Sequence, residues 1–282
     1  MNNMIHKVAD LVIQAGSKVP EDKAHCYRKA LHEETSDLSH WAIETIVHNM
    51  QIAGEDHSPL CDDTGIPHLL LEVGKNRSVS GSLLEEIYEG VRLGLQKLPG
   101  RPMAIKGNDQ ERIDQSGGLD EQPDAVLPAP LQIIHSDQKD LLRLTVLMQG
   151  GGPEIRAKTN RVFHRHSMDT VLNEIVEWAS QSVRELGCSP CTLAIGIGRS
   201  HFEASALMLQ AMAEGNYEQQ NEYERLITDR VNESGTGALG LGGKVSVLGT
   251  FMKVGPQRAS GVRIVCMRPC CCFEPRKASM LL

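Results

Sequence analysis

Apolar residues along the 282-residue chain recur at two spacings, and the points where one gives way to the other divide the sequence into elements. Between Met4 and Gly54 they fall three and four apart: Val8, Leu11, Val12 and Ala15, then Ala42, Ile43, Ile46, Val47 and Met50. That spacing predicts helices with one buried face, the later one capped by Ser39 and closed by Gly54. Ile66 to Val73 is a short apolar run ended by Gly74, which predicts a buried strand. Ser82, with Glu85 three residues on, forms a capping-box pattern ahead of Leu83, Leu84, Ile87, Val91, Leu95 and Leu98, a helix stopped by Pro99 and Gly100. Gly107 to Pro130 is polar and turn-rich, and reads equally as a loop over a site or as a surface excursion.

Leu142 to Met148 predicts a strand, followed at once by Gly150, Gly151 and Gly152. Ser167 to Leu186 predicts a helix with Val171, Leu172, Ile175, Val176, Ala179 and Val183 on one face and Gly187 at its end. A strand at Thr192–Gly198 and a helix at Phe202–Ala213 repeat the order, and Glu218 to Val231 predicts a surface helix. The glycine-rich SGTGALGLGGKVSVLG then forms a close-packed turn feeding a strand. The last strand is Val262 to Met267. Strands alternating with helices of this length predict an α/β fold, as one large domain or two tightly joined ones.

Charge and composition exclude several classes. Lys plus Arg is 29, Asp plus Glu is 36 and the net charge is -7, with no block of like charges, which argues against a nucleic-acid or anionic-membrane surface. No run approaches the ~18 apolar residues of a membrane span. The start, MNNMIHKVAD, lacks the apolar segment of a signal peptide, so the protein is expected in the cytoplasm.

The eight cysteines change the picture most. In a reducing compartment they are metal ligands, catalytic groups or core filler rather than disulfides. Cys188 and Cys191 have the C-x-x-C spacing of a zinc or redox pair, but the only other compact cluster, at 270–272, is of adjacent residues whose side chains diverge. A cubane cluster held by thiolates from distant loops fits better, since Cys61 and Cys188 each follow a helix and the C-terminal group follows a strand. By spacing alone, core or surface cysteines would look the same. HSPLCDDTGIP, residues 57–67, adds Asp62, Asp63, Thr64 and Gly65 directly after Cys61. On pattern alone Asp63 also suits an Asx turn that caps Gly65.

Four segments resemble one family. CDDTG at Cys61 is similar to the CQDTG signature of the iron-sulfur class I fumarases and the related tartrate dehydratases, and GGGPE at Gly150 is similar to their GGGSE. GCSPCTLAIGIG at Gly187 resembles C-P-P-x-x-x-A-x-x-I-G, and SGTGALGLGG at Ser234 resembles T-G-x-G-P-x-G-L-G-G. The order matches, and the resemblance runs from about residue 5 to the C-terminus.

The resemblance implies the N-terminal, or alpha-subunit, domain of that family: a single cluster-binding catalytic domain over 1–282, helical over 1–56, with an α/β core over 57–282 that ends in glycine-rich and cysteine-rich segments. It implies a 4Fe-4S cluster with one iron open, a separate beta subunit, a hetero-oligomer and a small 2-hydroxy dicarboxylate substrate from which water is reversibly removed. Cys61 and Cys188 match the first two ligand positions, and Cys191 falls beside them. Counting forward from Pro256 makes Cys270 the third ligand, while counting back from Arg276 makes it Cys272; Cys270 is favoured, and Cys266 is assigned to the core. Asp63 matches an acid that takes part in proton transfer, Arg101 matches a substrate-binding arginine, and the N–H groups of Gly150, Gly151 and Gly152 could form an anion nest.

Three departures point to an altered substrate or to rearranged binding. Asp62 replaces a substrate-contacting glutamine, Pro153 and Ile155 replace serine and asparagine, and Arg258 or Ser260 stands where the family has a histidine. Tartrate or another hydroxy acid then becomes the natural candidate. The reading from a different class is a non-catalytic iron-sulfur scaffold or sensor, which would need the cysteines but neither Asp63 nor Arg101.

Overall fold

A computed structural model describes residues 3–98 and 100–282, so Pro99, expected to stop a helix, lies outside the described residues. The elements in order are α1 (Asn3–Ser17), α2 (Glu21–Glu33), α3 (Asp37–Asp56), β1 (Ile66–Gly74), α4 (Gly81–Lys97), α5 (Asp109–Asp114), β2 (Gln132–Ser136), β3 (Leu142–Gln149), α6 (Gly151–Glu154), β4 (Lys158–Phe163), α7 (Met168–Leu186), β5 (Cys191–Gly198), α8 (His201–Glu214), α9 (Glu222–Asn232), β6 (Val247–Val254), β7 (Val262–Cys270) and β8 (Arg276–Leu281). The fold is α/β, as the alternation predicts, and the chain divides into two compact units.

The first unit takes residues 3–18, 50–150 and 276–282. Its sheet has the order β2-β1-β3-β8, with β1 parallel to β2 and antiparallel to β3, and β3 antiparallel to β8. Val8, Leu11, Val12 and Ala15 of α1 and Ile87, Val91 and Leu95 of α4 pack on Leu69, Leu71, Leu144, Val146 and Met148. Leu144 is wholly buried; a side chain so placed contributes ~2–5 kcal/mol by the usual truncation to alanine. Ser80, rather than Ser82, caps α4. Its extended backbone lets the hydroxyl accept the N–H of Leu83, which leaves Ser82 inside the first turn.

The second unit takes residues 19–49 and 151–275. Its sheet has the order β4-β7-β5-β6, with β5 antiparallel to β7 and parallel to β6. All eight residues of β5 are buried. One face packs under Val171, Leu172, Ile175 and Val183 of α7 with Ile227 and Val231 of α9. Toward α8 the strand carries Gly196, where a Cβ would stand 2.0 Å from the Ala204 carbonyl and 2.4 Å from the Met208 nitrogen, so only glycine lets the helix backbone touch the strand. Gly187 closes α7 in the left-handed conformation, φ 76°, as expected.

Three boundaries differ from the sequence expectation. Ser39 is not a cap: α3 begins at Asp37, and the buried Ser39 hydroxyl donates to the Gly242 carbonyl at 2.8 Å and accepts the Ala238 N–H at 2.9 Å. Gly54 does not end α3, which continues to Asp56. The surface helix starts at Glu222 because Asn221 and Glu224 form a reciprocal capping box there.

Candidate functional site

In the first unit the chain leaves α3 and is pinned at once, the buried Leu60 donating its N–H to the Gly16 carbonyl at 3.0 Å. Half-buried Cys61 follows, and its thiol donates to Asp62 Oδ1 at 3.4 Å. The same oxygen accepts the Asp63 N–H at 2.9 Å. The Asp62 carbonyl accepts the N–H groups of Thr64 at 3.0 Å and Arg101 at 3.2 Å, which brings Arg101 onto the motif. Its guanidinium lies 3.5 Å from Asp62 Oδ2 and 3.8 Å from Asp63 Oδ2. The Cys61 thiol most of all, against burial, and then the Asp63 N–H and the Arg101 charge, hold the Asp62 carboxyl below its ordinary value.

These contacts answer the charge problem that Asp62 raises. An ionised Asp62 is paired with Arg101, and the pair leaves Asp63 as the shielded acid, 19% exposed against 72% for Asp62. Arg276, buried at the start of β8, donates to the Asp63 carbonyl at 2.8 Å. Gly65 makes the turn at φ 90°, where a Cβ would meet the Gln149 carbonyl at 2.4 Å and Arg276 Nη2 at 2.9 Å. Pro123 and Val126, within the polar stretch after Arg101, line a small cavity with Thr64, Gly65 and Arg101.

In the second unit Cys188 is exposed just past the end of α7, and its carbonyl accepts the Cys272 N–H at 2.8 Å. The structure therefore brings Cys188 together with Cys272. Cys270 goes elsewhere: it is wholly buried, and its sulfur accepts from Arg268 Nη1 at 3.6 Å. Burial pushes its thiol up to about 12. A hydrogen bond with Cys271 and then burial push the Cys272 thiol well above its ordinary value.

The glycine-rich loop is fixed from behind. Glu34, next to α2, is buried, and its carboxylate accepts the N–H groups of Thr35, Ser36, Lys244 and Val245 at 2.7 to 3.1 Å. Ser189, beside Cys188, donates to the Gly237 carbonyl at 2.6 Å and accepts the Leu239 N–H at 3.0 Å. The donors of this loop at 244 and 245 are thus already occupied by a carboxylate of the chain itself.

Gly151 to Glu154 form a single helical turn, and nothing packs where a Gly152 Cβ would stand. Glu154 binds Arg268, at 3.1 Å. Arg258 and Ser260 are exposed in the connection between β6 and β7.

Several residues near the cysteines carry no sequence signal. Arg268 and Glu274 are wholly buried and paired at 2.5 Å. Lys23, in the polar α2, is also wholly buried and donates to the Glu274 carbonyl. Arg268 and Glu274, flanking the P-C-C-C-F run, look like loop charges, and only the burial reveals otherwise.

All eight cysteines are free. Among the described residues no three His, Cys, Asp or Glu side chains are grouped to hold a single metal ion. The donor set does fit a thiolate-held cluster. In the second unit Cys188 is exposed, Cys272 is tied to it, and Lys23 and Arg268 beside residues 270–274 suit the negative charge of coordinated thiolates; in the first unit Cys61 is half-buried. Among the described residues no helix is long and apolar enough to cross a membrane.

Comparison with known proteins agrees with these motifs. The profile of the Fumerase family, described as fumarate hydratase (Fumerase), matches residues 5–280. The chain is 26% identical to the "Putative L(+)-tartrate dehydratase subunit alpha" of Methanocaldococcus jannaschii, over 96% of each chain. It is 22% identical to the L(+)-tartrate dehydratase subunit alpha of Escherichia coli K12, over 100% of this chain and 91% of the relative.

Proposed function

The chain belongs to the Fumerase family of hydro-lyases, and from that premise we propose that it is the alpha subunit of an iron-sulfur hydro-lyase acting on a 2-hydroxy dicarboxylate of the tartrate or malate type. The observation that carries this reading is the hydrogen bond between Cys188 and Cys272, which joins two of the candidate ligands within one unit. It favours Cys272 over Cys270 as the third ligand. Cys61, Cys188 and Cys272 would then hold a 4Fe-4S cluster, a set taken from the motif match. The beta subunit is supported by the "subunit alpha" in the names of the relatives. Eight free thiols suit the cytoplasm.

When bound, the cluster would supply an open iron, a Lewis acid toward the substrate hydroxyl that needs no redox change. Asp63 is the general base for the proton on the neighbouring carbon. Arg276 on its carbonyl and Arg101 3.8 Å from its carboxylate fix where that base stands. Arg101 is the cation for the far carboxylate, which reaches it in competition with Asp62. The motif match makes Gly150, Gly151 and Gly152 the candidate anion-binding turn, and Arg258 a further positive charge. The enoic product gives an oxo acid where the substrate carries a second hydroxyl, as tartrate does.

The test is anaerobic reconstitution of the full chain with iron and sulfide, its beta subunit added, on L(+)-tartrate, malate and fumarate. Turnover of one of these is expected, with Asp63→Asn keeping the cluster and losing about 10²–10⁴-fold in rate. Wild-type turnover by Asp63→Asn would remove Asp63 from the chemistry. A stable cluster with no turnover of any hydroxy acid would favour the scaffold reading.

A further inference from the structure

Helix α2, EDKAHCYRKALHE, is polar, and nothing in it marks Lys23 as internal. Yet Lys23 and Tyr27 are both wholly buried. Spaced i and i+4, they lie on one face of the helix and reach the same stretch of chain. Lys23 Nζ donates to the carbonyl of Glu274, and the Tyr27 hydroxyl donates to the carbonyl of Cys272 at 2.7 Å. The helix therefore grips 272–274 at two carbonyls while the Cys272 N–H is bonded to Cys188.

The charges around this grip do not balance within the protein. Among the described residues of the second unit the wholly buried ionic groups are Lys23, Arg268 and Glu274, two cations to one anion, and Glu274 already pairs with Arg268 at 2.5 Å. The remaining acid on Arg268, Glu154, has a side chain 58% exposed. Lys23 donates to a carbonyl, and burial, which disfavours its charge, is opposed first by Cys271, Cys272 and Cys270 and then by the Glu274 carboxylate that Arg268 already holds. A buried ammonium that shares its carboxylate with an arginine is expensive to keep, and a further nearby anion offsets the cost. Coordinated thiolates would be such an anion.

We infer that Lys23 is a positioning residue for the iron-sulfur cluster, an internal cation that holds the Cys272 turn against Cys188 and offsets the negative charge of the ligated thiolates. This inference rests on the cluster reading above. The chemistry does not require Lys23 to touch substrate. Its ammonium acts through Cys272 and through the electrostatics of the bound group.

The experiment compares the full chain with its Lys23→Met and Lys23→Gln variants after anaerobic reconstitution. Circular dichroism of the metal-free proteins reports folding. The readouts are the reduction potential of the cluster, followed by electron paramagnetic resonance, and the rate of iron release to a chelator. Lys23→Met is expected to fold, to lower the potential, and to release iron about 10-fold faster or more, the range for groups that support metal ligands. Lys23→Gln, neutral but still able to donate to Glu274, is expected to lower the potential in the same direction, which a merely structural role would not do. It also serves if Lys23→Met fails to fold. Lys23→Arg is expected to restore the potential toward wild type. A wild-type cluster that forms normally, with unchanged potential and release rate in the neutral variants, overturns the inference and leaves the cluster reading standing. A wild-type chain that takes up no iron and sulfide overturns the cluster reading itself, and this inference with it.

Discussion

Replacing Glu34 by glutamine changes one atom and should release the glycine-rich loop. The Glu34 carboxylate accepts the N–H groups of Thr35 and Ser36 on its own side and of Lys244 and Val245 across the loop. An amide keeps one acceptor oxygen and turns an NH2 group toward N–H donors. Two donors would then lose their partner, and since only Val245 among them is buried, at the low end of ~1–3 kcal/mol each the expected destabilisation is about 2 kcal/mol. For a unit of this size that lowers the melting temperature by roughly 4–8 °C.

The effect should depend on pH with a fixed sign. Burial alone would raise the Glu34 carboxyl, but the N–H groups of Ser36, Lys244, Val245 and Thr35 outweigh it and hold it below the ordinary 4.5. A depressed carboxyl contributes stability that is fully present above the unfolded value and is lost as pH falls through the folded one. Thermal unfolding of the wild type and Glu34→Gln at pH 7 and in steps below pH 4.5 measures it. The gap between them should be full at pH 7 and should shrink on acidification. Equal melting temperatures at pH 7, or a gap that does not change with pH, would refute the clamp.

Gly65→Ala should destabilise the first unit by several kcal/mol, measured by urea unfolding, since its Cβ would stand 2.4 Å from the Gln149 carbonyl at a backbone φ of 90°; an unchanged midpoint would refute the need for glycine. Asp62→Asn should release Arg101 to a substrate carboxylate. Because Asp62 is 72% exposed, the pair is worth only ~0–1 kcal/mol, so KM should fall by at most about fivefold. A rise in KM would mean that Asp62 itself binds substrate. Leu144→Ala should cost ~2–5 kcal/mol in the same urea assay, without altering cluster content; a loss below 1 kcal/mol would refute its core role.

The elements that a sequence displays are those with a continuous apolar face. The buried faces of α1, α4 and α7 stand out because Val8 and Leu11, Ile87 and Val91, and Ile175 and Val183 recur at helical spacing. Edge strands do not stand out. β4 buries only Val162, β2 buries no residue fully, and β8 reads RKASML, so their place is set by partners far away in the chain. Caps were misplaced where two serines compete within a few residues, as Ser80 and Ser82 do, because the choice turns on one backbone angle.

Of the proposed site, Cys61, Asp63, Arg101 and Cys188 rest on motif alone. The choice between Cys270 and Cys272 does not, since counting along the sequence gives both, and the proposal for Cys272 rests on a hydrogen bond to Cys188, 84 positions away in the chain. Lys23 was invisible for the same reason. Its partner Glu274 is 251 positions away, and a lysine among Glu, Asp and His reads as a solvated one.

The central claim is that Cys61, Cys188 and Cys272 hold the cluster, and iron and acid-labile sulfide counted per chain after anaerobic reconstitution test it most directly. The account predicts about four of each in the wild type and in Cys270→Ser, and a failure to hold them in Cys272→Ser. A wild type without iron and sulfide, or a Cys272→Ser variant that keeps its full complement, would contradict it.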